Sequence, residues 1–231
     1  MSFRMTHELG LQILFGPKYW LWYYDETKLF YITPHYLSKQ MTKYADLLYQ
    51  DILNRKANDP PLLIWDMFSG IGTDAIYFSR YFNVIASELD KKTYQIFQKN
   101  IKSFNLSNIN ALNVNCISIA SQINPDVIYY DPPWGETYRS KNKNFDFSQV
   151  FIDYPNNDDE RFGNLPKKVS CTDLAKFLFR NVCKNIIIKS PMNSNSFDRI
   201  FNYNIVYTYK YKNKNLKFLF ISGNELNKNL I

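Results

Sequence analysis

Five short apolar runs constrain this chain most: Leu62-Leu63-Ile64-Trp65, Val84-Ile85-Ala86, Ile109 to Val114, Val127 to Tyr130 and Ile186-Ile187-Ile188. Each is too short for a buried helix, and stretches of helical character separate them, at Asp74 to Arg80, Lys91 to Phe104 and Thr172 to Val182. Alternation of this kind predicts an α/β fold with a mostly parallel sheet, whose ligands lie beyond the carboxyl ends of the strands. Polar residues stand at those ends: Asp66, Glu88, Asn115, Asp131 and Lys189. Ile205 to Lys212 and Leu216 to Ile221, joined by Asn213-Lys214-Asn215, predict an antiparallel hairpin that closes the sheet.

Residues 1–59 lack this pattern. Aromatic-rich turns give way to helical spacing from Pro34 through Leu53, where Leu37, Met41, Tyr44, Leu48 and Ile52 recur at three and four residues. Thr33 and Pro34 suit a helix start, as cap and first-turn residue. The expected organisation is a small helical extension over 1–59, a linker at Asn58-Asp59-Pro60-Pro61, and one domain over 60–231. The polar stretch Lys141 to Lys168 is expected to be irregular, closing over the site or staying mobile.

A content of 45% hydrophobic residues in 231 is ample for one core, and no apolar stretch is long enough for a membrane span. The beginning of the sequence has no secretory apolar region, so an intracellular protein of nucleus or cytoplasm, or of a viral factory if virus-encoded, is expected. Cys116, Cys171 and Cys183 have no paired spacing and are expected as buried free thiols, with no metal site. The formal charge of +7 favours a polyanionic partner, although abundant Lys, Asn, Tyr and Phe also suit an AT-rich genome.

Two motifs carry the chemistry. Asp131-Pro132-Pro133-Trp134-Gly135 follows a buried-strand run, and its prolines fix φ, lack N–H donors and leave carbonyls free to accept. An acidic, stiff, aromatic loop suits an exocyclic amine on a flat base. Asp66-Met67-Phe68-Ser69-Gly70-Ile71-Gly72-Thr73-Asp74 puts glycines between strand and helix, without the three-glycine dinucleotide pattern or the Lys-Ser/Thr pair of a triphosphate loop. Glu88 stands where a carboxylate accepts ribose hydroxyls, and Asn115 near an adenine edge.

In this order the glycine loop, Glu88, Asn115 and the Asp-Pro-Pro-Trp loop resemble the class I S-adenosylmethionine-dependent methyltransferases. The messenger-RNA adenine methyltransferases are disfavoured, because there Asp-Pro-Pro-Trp precedes the glycine loop. Lys18-Tyr19-Trp20, Phe30-Tyr31-Ile32-Thr33-Pro34, Asp66 to Gly72 and Asp131 to Gly135 together are similar to the trimethylguanosine synthase family, from about residue 17 to at least 195.

The resemblance implies a Rossmann-like seven-stranded sheet and methylation of the 2-amino group of a 7-methylguanosine RNA cap, once or twice, by a monomer. It implies S-adenosylmethionine contacts at Thr33, Asp66, Phe68, Ser69, Gly70, Gly72, Glu88, Asn115 and Asp131. Catalysis falls to Asp131, Pro132 and Trp134, and cap binding to Lys18, Tyr31, Trp134 and Lys189. Trp134 would stack on the cationic base and Lys18 reach the cap phosphates, while Tyr31, standing where the family has a small serine, is expected to add an aromatic face on the other side of the base.

Two departures stand out. Gly135 is followed by Glu136 where the family has a second glycine, and Pro191-Met192-Asn193 lacks the family's phosphate-gripping arginine, leaving Lys189 to replace it. Two other readings stay open: an amino-methyltransferase for adenine in DNA or guanine in ribosomal RNA, and a catalytically silent RNA-binding subunit.

Overall fold

A computed structural model describes residues 2–134, 145–153, 168–198, 200–201, 205–211 and 214–223, without side-chain detail at 2–6, 28, 30, 205–211 and 214–215. Its centre is a seven-stranded sheet in the order β3-β2-β1-β4-β7-β9-β8. The strands are β1 Leu63–Asp66, β2 Asn83–Ser87, β3 Ile109–Leu112, β4 Val127–Tyr130, β7 Asn185–Pro191, β8 Ile205–Tyr211 and β9 Lys214–Ser222. β3, β2, β1, β4 and β7 run parallel; β9 lies antiparallel to β7 and to β8. Both the parallel sheet and the closing hairpin match expectation.

Helices α3 Thr73–Phe78, α4 Lys91–Ser103, α5 Cys116–Ile119 and α6 Cys171–Asn181 connect the strands. β4 and β7 are buried throughout, as a sheet covered on both faces requires. The chain steps outward from β1 to β2 and β3 on one side, then returns to β4 on the other. The gap between β1 and β4 is thus the switch point of the sheet, where a crevice opens.

Two differences from expectation lie in the polar stretch before β7. Phe151–Asp153 (β5) and Lys168–Ser170 (β6) form a small antiparallel sheet, preceded by a 3-10 turn at Phe147–Gln149. Phe147 and Phe197 are fully buried and pack at 4.9 Å between centroids, so aromatic burial orders residues 145–153, while 141–144 and 154–167 of the stretch expected to be irregular lie outside the described residues. Glu136 lies outside the described residues.

The amino-terminal segment holds α1 Ser2–Phe15, 3-10 turns at Tyr19–Leu21 and Glu26–Tyr31, and α2 His35–Ile52. α1 carries no periodicity strong enough to have been expected. α2 buries Leu37, Met41, Leu48, Tyr49 and Ile52 in the same core as the strands. Such side chains contribute about 1.5–3 kcal/mol each when fully buried. The Tyr49 hydroxyl donates to the carbonyls of Ile186 and Ile221, fastening the helix across β7 and β9. Thr33 does not cap α2: Pro34 holds the cap position without a side-chain bond, and the Thr33 hydroxyl is turned elsewhere.

Candidate active site

At the switch point lies a cavity of about 650 Å³. One wall comes from the ends of β1 and β2. Asp66 is buried, and neither carboxylate oxygen is in hydrogen-bonding geometry with a described partner. Burial pushes its carboxyl well above the usual range, and Asp74 and Asp131 add to the rise against the Phe68 backbone and Lys189. Glu88 follows β2 and accepts the Gly70 N–H at 2.9 Å and the Asp90 N–H at 2.8 Å.

The two glycines of the loop do different work. Gly70 has φ +55°, and a Cβ there would meet nothing within 4 Å, so the backbone stands open to the cavity it lines. Gly72 has φ +86°, and a Cβ there would lie 2.0 Å from the Phe97 ring. It is not part of the lining, so its expected cofactor contact is replaced by a packing role: it lets the loop close on α4. Phe68 and Ser69 line the cavity, with the Ser69 N–H and hydroxyl both donating to the Ser87 carbonyl.

Asn115 also lines the cavity, yet its amide is largely committed. Oδ1 caps α5 by accepting the Ile117 N–H, and Nδ2 donates to the Asp153 carbonyl. One donor hydrogen and one lone pair remain for an adenine edge.

The opposite wall is assembled from β4 and β7. Asp131 directly follows β4; its Oδ2 accepts from Lys189 Nζ at 2.6 Å and its Oδ1 from Trp134 Nε1 at 3.1 Å. Lys189 Nζ stands 5.6 Å from the centroid of the Trp134 ring. Burial pushes the Asp131 carboxyl up to about 6 while Lys189 pulls it down. Burial pulls the Lys189 ammonium down in turn, but Asp131, Asp74 and Asp66 hold it above its ordinary value. Lys189, expected to reach phosphate, is 3% exposed and ion-paired; desolvation and a carboxylate at contact distance keep it inside the wall.

Behind this wall Trp134 packs on Phe145, and Phe145 meets Phe147 edge-on. Pro132, Pro133 and Trp134 all line the cavity, as do Tyr31 and Thr33 from the extension. Lys18 is exposed and outside the lining, and half-buried Met192 and exposed Asn193 lie outside it too. The Phe30 side chain lies outside what is described.

Asp74 is the residue that sequence reasoning passed over. It accepts from Thr33 Oγ1 at 2.7 Å, Ser38 Oγ at 2.6 Å and the Tyr129 hydroxyl at 2.9 Å, tying extension, glycine loop and β4 together. Its partners are 36 to 55 residues away, so the only local signal was an acid in the first turn of α3. The three cysteines are buried free thiols, and no described helix is long and apolar enough to cross a membrane.

A parallel sheet with a terminal antiparallel pair, a glycine loop after β1, a carboxylate after β2 and an acidic aromatic loop after β4 define a class I S-adenosylmethionine-dependent methyltransferase. The comparisons make the assignment narrower. Residues 62–230 match the RNA cap guanine-N2 methyltransferase family, and the chain belongs to that family.

An uncharacterized protein of Acanthamoeba polyphaga mimivirus is 30% identical over 153 residues, covering 64% of this chain and 52% of the relative. An uncharacterized RNA methyltransferase of Protochlamydia amoebophila is 27% identical over 115 residues, covering 47% and 26%. The chain thus spans about half of the first relative and a quarter of the second. A putative methyltransferase from Porphyromonas gingivalis shares the fold with TM-score 0.60 at 15% identity, over 95% of this chain and 49% of that one.

Proposed function

We propose that this enzyme transfers a methyl group to the exocyclic 2-amino nitrogen of a 7-methylguanosine RNA cap. The observation that carries the reading is the second wall: a stiff Asp-Pro-Pro-Trp loop whose carboxylate and indole are locked together beside a buried lysine, facing the glycine-loop wall across one cavity.

The first wall fits S-adenosylmethionine. Gly70 leaves backbone open where a ligand would rest, Glu88 suits ribose hydroxyls, and the unpartnered Asp66 carboxylate suits a cationic amine. When bound, the cofactor supplies an electrophilic methyl group. Thr33, Phe68, Ser69 and Asn115 complete that side, while Asp131 borders both ligands.

The guanine amine is a poor nucleophile because its lone pair is delocalised into the ring. Asp131 has a lone pair to spare on each oxygen, and with the Pro132 carbonyl it accepts from the amine and stabilises positive charge that grows on nitrogen. The closed loop also holds the amine in one orientation, which supplies much of the acceleration. Trp134 offers its face to the cationic base and Tyr31 covers the other side, a pairing that favours a premethylated cap. Lys18 remains a phosphate contact for a substrate that extends out of the cavity.

The decisive measurement is transfer of labelled methyl to RNAs capped with guanosine or 7-methylguanosine, with uncapped RNA as control. The methylated cap should be preferred; equal transfer to uncapped RNA would overturn the reading in favour of an internal base. Trp134→Ala should weaken use of the methylated cap by about 1–3 kcal/mol and leave cofactor binding intact.

A further inference from the structure

Trp20 is 68% exposed and Tyr23 is 50% exposed, and both stand on a surface whose backbone is firmly held. The Tyr19 hydroxyl donates to Glu8, and Tyr19 meets Trp20 edge-on with centroids 5.5 Å apart. Ser103, at the end of α4, donates to the Leu21 carbonyl at 2.8 Å. Asn100 grips Tyr23 from both sides, accepting its N–H at 2.7 Å and donating to its carbonyl at 3.0 Å. Beneath them the buried Trp22 packs between Phe15 and Phe104. Two flat apolar side chains are thus presented to solvent from a turn fixed along the last turns of α4.

Helix α4 supplies charge beside them. Lys92, Lys99 and Lys102 fall on one exposed face, no Asp or Glu occurs between Lys91 and Ser103, and none of the three is ion-paired among the described residues. Lys99 Nζ lies 5.6 Å from the centroid of the Tyr23 ring. Neighbouring acids are committed locally: Asp25 accepts from Thr27, Asp90 from Thr93, Glu8 from Tyr19, and Glu26 lies 3.9 Å from His7. The same segment continues to Tyr31, which lines the active-site cavity.

We propose that Trp20, Tyr23 and the lysine face of α4 bind unpaired nucleotides of the RNA outside the cavity, an inference that rests on RNA being the substrate. Exposed rings offer stacking to any base, and lysines spaced along a helix meet successive phosphates without reading sequence. A single-stranded polyanion with flat bases uses both features; an acidic protein would use only the second.

Binding of an uncapped 12-nucleotide single strand, followed by fluorescence anisotropy, tests the surface without depending on methyl transfer. The wild-type protein should bind it in a salt-dependent manner. Trp20→Ala with Tyr23→Ala should weaken binding by about tenfold or more. Changing Lys92, Lys99 and Lys102 to Gln should lower the log–log salt slope by about 2. The same variants should raise KM for a capped 20-nucleotide RNA and leave turnover of a cap dinucleotide unchanged. Equal binding by wild type and the aromatic double variant overturns the proposal, as does an equal loss on dinucleotide and long RNA. A wild-type enzyme that binds the single strand through these residues but methylates no cap would refute the proposed substrate and leave this surface standing.

Discussion

The two walls of the cavity are built on opposite electrostatic principles. Across β1 and β2, Asp66 is buried with both oxygens unpartnered, Glu88 accepts from the backbone N–H groups of Gly70 and Asp90, and Gly70 opens onto empty space. Across β4 and β7, Asp131 is held from within the protein, one oxygen by Lys189 and the other by Trp134. The first wall leaves its polar groups to be completed by a ligand. The second is complete beforehand and so holds its geometry at no reorganisation cost when substrate arrives.

The harshest way to break the second wall is to remove its cation. Lys189→Met would leave the Asp131 carboxylate buried and uncompensated, a change that costs about 3–5 kcal/mol. The Asp131 carboxyl already sits at about 6, above the usual 3.8, and would rise further without its partner. A carboxyl raised in the folded state adds stability below its unfolded value and loses it as pH rises through the folded one. The variant's deficit should therefore be large in urea unfolding at pH 8 and shrink at pH 5. A deficit independent of pH would mean that the lysine contributes packing alone.

Asp131→Asn attacks function with less damage to the wall, because the amide can still accept from Lys189. Loss of the charge that stabilises the developing cation should lower transfer by roughly 10²–10³, in the range of removing one preorganised polar group. Wild-type kcat/KM should rise with pH through about 6 as the carboxyl ionises and then level off, and the variant should lack that limb. Cofactor affinity measured by calorimetry should hold, since the opposite wall supplies most of its contacts. If affinity collapses together with transfer, the two walls are one unit and the contrast fails.

Sequence made the walls' backbone legible and their pairing obscure. Apolar runs bounded by polar residues are local signals, so β1 to β4 and the closing hairpin were expected within a residue or two of where they lie. Asp66, Glu88 and Asp131 were identifiable because they end strands of a parallel sheet. Lys189 is legible as a strand-end cation, but its bond to Asp131 spans 58 residues and has no local signal. Thr33 reads locally as a helix cap for the same reason: its acceptor, Asp74, is 41 residues on. Gly72 shows the converse, a motif position whose observed constraint is the Phe97 ring. Residue type gives the chemistry a group can offer, but only the fold decides which neighbour takes it.

The smallest and most discriminating effect belongs to the first wall. Asp66 is held buried beside Asp74 and Asp131, so its ionised form is unfavourable in the folded protein and its carboxyl lies well above the usual 3.8. Its contribution to stability is present below the unfolded value and lost as pH rises through the folded one. Asp66→Asn removes that loss, so the variant should be more stable than wild type near pH 8 by about 1 kcal/mol, a few degrees in melting temperature, and equal to it near pH 4. The same substitution should weaken S-adenosylmethionine binding, because an amide cannot neutralise the cofactor's ammonium. Opposite signs for stability and affinity would establish that the wall is strained for its ligand. A variant less stable at pH 8 would show instead that Asp66 is satisfied within the protein, and the contrast between the walls would disappear.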